Sequence, residues 1–238
     1  MSEWSMKRFW DTASAVEVTG GFQIELDGRN VKTPAKHALI VPTKRLAQAI
    51  AAEWDQQVHV VNPDKMPQTR LANSAIDKVA IQHSEVASLI SEYGASDLLC
   101  YRADEPEALV ERQAAEWNPI LNWAKEEFDI ALVLQTGLMP ILQPQSSLDK
   151  IAAKTYKAEP FELTALHELV ALTGSWVIGY AAFLTAFEQE SLWSASVLDE
   201  LFQEEQWGID EEAFEMRTAK QKAFFDAWEF RCNLTPAV

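Results

Sequence analysis

The sequence predicts an α+β fold, in which a small N-terminal β-rich domain of mixed β/α structure precedes a larger all-α C-terminal domain. Three observations lead to this prediction. Apolar and polar residues alternate between residues 14 and 41, apolar residues recur at helical spacing through most of the chain after residue 84, and the composition changes from β to α between about residues 62 and 84. In a chain of 238 residues, which is long enough for two modest cores, we expect domains at 1–80 and 81–238.

The predicted strands of the first domain are short and separated by turns. Their alternating apolar residues are Val16, Val18, Phe22, Ile24 and Leu26. The glycine pair at 20–21 and Asp27-Gly28 tolerate positive φ, and Asp-Gly is a strong hairpin signal. Apolar runs at 38–41 and 58–61 predict two further strands.

The first predicted helix begins after Thr43, whose hydroxyl suits an N-cap. Its apolar face consists of Leu46, Ala47, Ile50, Ala51 and Trp54. On this face we interpret Trp54 as a structural anchor of the packing. Thr69 is the predicted N-cap of a helix that runs to about Ile81, and Ser84 that of the next one.

Helices dominate the second domain, with short apolar runs at 98–101 and 130–134 as the exceptions. The pair Asn118-Pro119 is expected to break or kink one helix, because proline lacks an N–H group. The segment 163–187 is expected to form one helix that is buried on all sides. Its large apolar ridge is Leu172, Trp176, Tyr180, Phe183 and Phe187. Its small ridge, which would let another backbone approach closely, is Ala171, Ser175, Gly179, Ala182 and Ala186.

The uncharged segment Leu169 to Phe187 is about as long as a membrane span. We nevertheless predict no membrane insertion, because glutamates flank the segment where Lys or Arg anchors would be expected, and polar residues interrupt it. Two helices close the chain. The first begins at Ser191 or Ser194 and ends near Trp207-Gly208, and Asp210 caps the second. The predicted core stripe of the second is Phe214, Gln221, Phe225, Trp228 and Cys232.

The formal net charge of −16 disfavours a nucleic-acid partner and an anionic membrane surface. The acidity serves solubility alone or also steers the protein to a basic partner. The N-terminus lacks an apolar secretory core, so we expect a bacterial cytoplasmic protein, or a processed one in the mitochondrial matrix. The two cysteines, Cys100 and Cys232, lie in apolar segments, which favours buried free thiols without excluding a disulfide.

Motifs that would carry chemistry are missing from the sequence. The eight glycines form no phosphate loop and no Gly-x-Gly-x-x-Gly. His167-Glu168 resembles the start of a zinc-protease helix, but Ala171 stands where that motif requires a second histidine. We therefore predict no metal, no cofactor and no catalytic residue.

One acidic cluster and some of the nine tryptophans suggest a protein-binding site instead. The acidic residues that crowd one helix are Asp199, Glu200, Glu204 and Glu205. Within this cluster Glu200 and Glu204 form a repulsive i, i+4 pair. The cluster is either a solvated face or a face kept for a basic partner. Trp4, Trp10 and Trp207 have no obvious core partners, and such aromatics form either a binding patch or an ordinary satellite cluster. Asp199, Glu200, Glu204 and Trp207 are the predicted partner-binding residues.

An ordered set of short pieces along nearly the whole chain resembles one known family. The pieces include Arg8-Phe9-Trp10, Leu26-Asp27-Gly28-Arg29, Lys32-Thr33-Pro34, Ala52-Glu53-Trp54, Met66-Pro67-Gln68-Thr69, Ala75-Ile76-Asp77, Asp97-Leu98-Leu99-Cys100-Tyr101-Arg102, Trp117-Asn118-Pro119, and Gln206-Trp207-Gly208. Together they resemble the ATP12-type assembly chaperones of the F1 sector of ATP synthase. The acidic segment at Asp199-Glu200 matches the C-terminal acidic motif of that family.

The resemblance implies a non-catalytic molecular chaperone. It would bind the unassembled alpha subunit of F1 and shield its assembly surface, with Glu200 as the first residue to test. Two alternatives stay open at this point: an enzyme with an unrecognised carboxylate or histidine site, and a binding module for another protein. The sequence has no coiled-coil heptad run, and we expect a monomer.

Overall fold

The computed structural model describes residues 7–137 and 141–235 and confirms the predicted fold class, a small strand-containing region followed by a mostly helical one. The chain divides into two compact units. Their bounds are Met1–His83, Glu159–Ala165 and Asp226–Val238 for the first unit, and Ser84–Ala158 and Leu166–Phe225 for the second. Two segments that the predicted boundary at residue 80 assigns to the second domain therefore pack in the first unit. The division into domains 1–80 and 81–238 stays a prediction.

The first unit contains a four-stranded antiparallel sheet. Its strands are β1 (Ala13–Val18), β2 (Gly21–Leu26), β3 (Arg29–Asn30) and β4 (Ile40–Val41), and β2 pairs with each of the others. Asp27 and Gly28 both have positive φ, 48° and 76°, and form the predicted two-residue turn. The predicted strand at 58–61 is wrong, since only a single bridge joins Val60 to Lys7.

Helix α1 (Lys44–Asp55) packs on this sheet. The predicted cap is confirmed, because the Thr43 hydroxyl accepts a hydrogen bond from the Leu46 N–H at 3.2 Å. Trp54 is buried and meets Trp10 edge to face, with ring centroids 5.2 Å apart. At the C-terminal end of the helix, the Arg8 guanidinium donates a hydrogen bond to the Asp55 carbonyl. A positive charge at this end interacts favourably with the helix dipole.

Helix α2 (Pro67–Ser74) continues into a π-helical turn over Ala75–Val79. The prediction that Thr69 caps this helix is wrong, because the helix begins at Pro67. The cap is the buried carboxylate of Glu53, which accepts hydrogen bonds from the N–H groups of Gln68 at 2.7 Å and Thr69 at 2.8 Å. Burial raises the pKa of Glu53 above its usual range, against the opposing effect of these hydrogen bonds.

Replacing Glu53 by alanine should lower the free energy of unfolding by about 2 kcal/mol, because two N–H groups at the start of α2 lose their acceptor. Glu17→Ala is the matched control: Glu17 is an exposed glutamate on β1, and its loss should change stability by less than about 0.5 kcal/mol. Urea denaturation of both variants measures the difference. Equal effects would show that the Glu53 cap contributes nothing.

The second unit is built mainly from helices. They are α3 (His83–Glu92), α4 (Glu107–Phe128), α5 (Gln145–Thr155), α6 (Pro160–Thr173), α7 (Trp176–Phe183), α8 (Gln189–Ser196), α9 (Leu198–Trp207) and α10 (Glu211–Asn233). The ends of α3, α6 and α10 belong to the first unit. Strands β5 (Tyr101–Arg102) and β6 (Gln135–Thr136) form a short parallel pair beside the two apolar runs noted in the sequence.

The predicted single helix at 163–187 is wrong: the segment forms α6 and α7 with a sharp break between them. Gly174 adopts φ +66° there, and the Ser175 hydroxyl caps α7 by accepting from the Ile178 N–H at 3.0 Å. The buried carboxylate of Asp97 accepts from the Ser175 hydroxyl at 2.7 Å and from the Val177 N–H at 3.0 Å. The break is therefore held by a side chain that lies 78 residues away in sequence from Ser175.

Other details also differ from the prediction. Helix α4 continues through Pro119 without a break. Neither Ser191 nor Ser194 caps a helix, because α8 begins at Gln189. The buried face of α10 consists of Phe224, Ala227 and Phe230. Phe214 and Gln221, which were predicted to lie in that face, are exposed.

Candidate partner-binding site

The predicted partner-binding residues lie on α9, in the second unit. Helix α9 ends at Trp207, and Gly208 reverses the chain with φ +91°, a conformation that favours glycine. Asp210 caps α10 as predicted, because its carboxylate accepts from the Ala213 N–H at 3.0 Å. The two helices thus meet at a short corner, which fixes the direction in which the end of α9 projects.

Asp199 belongs to the interior of this unit. It is half-buried, and its Oδ1 accepts a hydrogen bond from the Gln113 side-chain amide on α4 at 2.7 Å. The amide oxygen of Gln113 in turn accepts from the Ala103 N–H at 2.9 Å. Asp199 therefore ties α9 to α4 and its preceding loop, and its Oδ1 is already engaged by Gln113.

Glu204 is paired within the chain. Its two oxygens accept from the Arg217 guanidinium of α10 at 2.7 and 2.8 Å, a bidentate pair that fixes both side chains. These hydrogen bonds raise the pKa of Arg217. The next residue, Glu205, makes a similar pair with Arg112 of α4, at 2.8 and 2.9 Å. Both pairs hold α9 in place.

Glu200 differs from its acidic neighbours because it is only weakly paired. Its Oε2 lies 4.0 Å from Nη1 of Arg217, beyond hydrogen-bonding distance, and 55% of the side chain is accessible to solvent. Arg217 also lies between the two carboxylates of the repulsive Glu200 and Glu204 pair, so it offsets the like-charge repulsion noted in the sequence. Glu200 is the acidic residue of the predicted set most accessible to a partner's cation.

Trp207 is the most exposed tryptophan that the structure describes, with 78% of its surface accessible. Three further apolar side chains near the α9–α10 corner are exposed, and we call the four together the apolar corner: Trp207, Ile209, Phe214 and Met216. A shallow pocket of about 290 Å³ adjoins it, lined by residues that include Glu200, Trp207, Met216 and Arg217. Exposed aromatic and thioether groups beside a carboxylate are typical of protein-binding surfaces.

The sequence identified only part of this surface. Ile209, Met216 and Arg217 were not predicted, and Phe214 was assigned to the core. The sequence signal that could have found them is Gly208, which marks the turn between α9 and α10 and so places the first residues of α10 beside Trp207. The prediction that Trp10 lacks core partners is wrong, since Trp10 is buried against Trp54. Trp4 lies outside the described residues.

Within residues 7–137 and 141–235, no three His, Cys, Asp or Glu side chains are grouped to hold a metal ion. None of the helices described in the structure is long and apolar enough to cross a membrane. Cys100 and Cys232 are both free thiols, and burial raises the pKa of Cys100 to about 12, which makes its thiol unreactive at neutral pH.

Comparisons with known proteins agree on one family. The sequence profile described as ATP12 chaperone protein matches residues 7–125. The crystal structure of Atp12 from Paracoccus denitrificans shares 42% sequence identity and a TM-score of 0.95, covering 98% of this chain and 100% of its own. A mutant of P. denitrificans Atp12p has 41% identity and the same TM-score and coverage.

A curated relative is more distant. It is the protein "atp12, mitochondrial" of Schizosaccharomyces pombe, which is 26% identical over 228 residues and covers 89% of this chain and 77% of its own length. These matches rule out the alternative of an enzyme, because the proteins that match are chaperones. The chain therefore belongs to the ATP12 family, whose members are chaperones of ATP synthase assembly.

Proposed function

We propose that this protein binds the unassembled alpha subunit of F1 and shields its assembly surface until the beta subunit replaces it. The observation that carries the proposal is the apolar corner with the exposed carboxylate of Glu200 beside it. Trp207, at the centre of this surface, offers a large apolar area with little conformational entropy to lose. We further propose that the protein acts as a monomer, and in the bacterial cytoplasm.

The contacts that α9 makes with other helices suggest different roles for its acidic residues. Asp199, Glu204 and Glu205 are engaged with Gln113, Arg217 and Arg112, so they position the helix. Glu200 then provides the charge that a basic side chain of the alpha subunit would meet. An apolar centre with a charged rim gives affinity from the centre and orientation from the rim.

The proposal is tested by capturing purified alpha subunit on the immobilised chaperone. We expect Trp207→Ala and Glu200→Lys each to weaken binding by about tenfold or more, because the first removes the large apolar contact and the second replaces an attractive charge by a repulsive one. Raising the salt concentration should shrink the effect of Glu200→Lys and leave that of Trp207→Ala unchanged, since salt screens charge interactions only.

Two matched controls separate local contact from general effects. Glu111→Lys makes the same change in net charge at an exposed position of α4, and Tyr156→Ala removes an exposed aromatic ring elsewhere. Both should bind like the parent protein. If the parent protein does not capture the alpha subunit, the proposed partner is wrong. If all four variants bind equally, the proposed surface is wrong.

A further inference from the structure

A second surface feature lies in the first unit, in residues that the proposed function does not use. It is an open pocket of about 460 Å³, which we call the π-turn pocket. Its apolar lining consists of Pro42, Ala75, Ile76, Ala80, Pro160, Phe161 and Leu234. This volume falls within the range of roughly 300–1,000 Å³ that is typical of ligand-binding pockets.

One wall of the pocket is the π-helical turn at Ala75–Val79. The Ala80 N–H donates to the Ala75 carbonyl at 2.9 Å, five residues back, which widens the helix at the point where Ile76 lines the pocket. Such turns are rare and frequently occur at functional sites. This one is held by Asp77, which accepts hydrogen bonds from the Thr33 hydroxyl at 2.7 Å and from the Ala35 N–H at 3.0 Å.

The other walls include a stacked aromatic ring and two prolines. Phe161 stacks on the fully buried ring of Phe230, with the two planes 13° apart, and Pro42 and Pro160 restrict the backbone on either side. The pocket is therefore formed before any ligand arrives. A preformed apolar pocket loses little entropy when a ligand enters it.

The charged residues of the pocket indicate what it accepts. Both of them, Glu159 and Glu162, are carboxylates, and Glu162 also accepts a hydrogen bond from the Glu159 N–H at 3.2 Å. An apolar interior with negative charge complements an apolar peptide that carries a positive charge. A carboxylate-bearing ligand such as a fatty acid would be repelled by the same two groups.

We propose that the π-turn pocket is a second client-docking site, which binds a short apolar peptide segment flanked by a lysine or arginine. That the segment belongs to the alpha subunit rests on the proposed function, whereas its binding to the pocket does not.

The test uses the full chain and three fluorescent heptapeptides, followed by fluorescence anisotropy. The first has the core Leu-Phe-Leu-Leu-Lys between glycines, the second has glutamate in place of lysine, and the third has serine in place of every apolar residue. We expect the first to bind and the other two to bind at least about tenfold more weakly. Failure of the first peptide to bind, or equal binding of all three, overturns the proposal.

Variants that fill the pocket test whether the peptide binds there. Ala80→Trp places a large ring in the pocket from an exposed position, and Pro42→Trp does so from a second wall if the first variant lowers the Tm. Either variant should weaken binding of the first peptide by about tenfold or more. Ala108→Trp, at an exposed alanine of α4, should leave this binding unchanged. Unchanged binding in both pocket variants overturns the proposal.

Two further measurements keep the pocket and the proposed function separable. Glu200→Lys should leave peptide binding unchanged. Failure of the parent protein to capture the alpha subunit, together with intact peptide binding, would contradict the proposed function alone. Sedimentation of the chain over a range of concentrations tests a second copy as the occupant. A dimer that Ala80→Trp abolishes would overturn the peptide proposal.

Discussion

Replacing Gly179 by alanine should lower the free energy of unfolding by about 3 kcal/mol or more, although alanine is the better helix former by about 1 kcal/mol. Helices α6 and α7 touch at this glycine. A Cβ atom there would lie 2.5 Å from Cγ2 of Val170 and 2.8 Å from both its Cα and its backbone nitrogen. Relief of this overlap requires the backbone of α6 to move, because rotation of a side chain cannot provide it.

Gly94→Ala is a matched control at the second closely packed glycine of the same unit. A Cβ atom at Gly94 would lie 2.6 Å from Cδ1 of Ile151, which is the flexible end of a side chain and can rotate away. We expect a loss of about 1 kcal/mol, measured for both variants by urea denaturation followed through tryptophan fluorescence. Equal losses of unfolding free energy in the two variants would mean that the close contact between the α6 and α7 backbones has no special cost.

Replacing Asp97 by alanine should destabilise the second unit by about 3–5 kcal/mol. The side chain is fully buried, and its carboxylate accepts hydrogen bonds from the Ser175 hydroxyl and from the N–H groups of Leu99 and Val177. Alanine would leave these donors buried without an acceptor and would open the joint between α6 and α7. Asp104→Ala, at an exposed aspartate before α4, should change stability by less than about 0.5 kcal/mol.

Asp97 should also give stability a distinctive pH dependence. Burial raises the pKa of Asp97 from its ordinary value of 3.8 to about 6, against the opposing hydrogen bonds. Between these two values the folded state holds a proton that the unfolded state has released. The stability gained from this bound proton therefore rises as the pH falls from about 6 to about 4, by roughly 3 kcal/mol at most, and only this proton-linked part is absent above pH 6.

The pH effect is checked by urea denaturation between pH 4 and 7. Asp97→Asn removes the titrating group, so this contribution should vanish in the variant, whereas Asp104→Asn should retain it. The parent protein and the Asp104→Asn variant should then gain stability, relative to Asp97→Asn, as the pH falls. Parallel curves for all three proteins would contradict the assigned role of Asp97.

Local chemistry explains what could be predicted from the sequence. The strand alternation, the Asp27-Gly28 turn and the caps at Thr43 and Asp210 each depend on a few neighbouring residues, and all are present in the structure. The candidate site was predictable for a similar reason. An acidic helix that ends in Trp207 is visible in the order of its residues alone.

Long-range contacts decided the rest. Thr69 has the chemistry of a helix cap, but Glu53, 16 residues away, carries out that role, which a pattern of neighbours cannot reveal. For the acidic cluster, the sequence shows which residues are charged but not which residues pair with them. Only the positions of Gln113, Arg217 and Arg112 separate the engaged carboxylates from the exposed Glu200.

The segment 163–187 shows most clearly which features depend on the local sequence and which depend on tertiary contacts. Its sequence alone determined that it is apolar and mostly buried, and that Gly179 can admit another backbone, although Ala171 and Ala186 of the predicted small ridge are exposed. The tertiary structure decided which backbone approaches: it is α6 itself, folded back so that Val170 meets Gly179. Asp97 stabilises this arrangement by capping α7. The pattern of apolar residues within the segment cannot predict this contact, because Asp97 lies in another part of the chain.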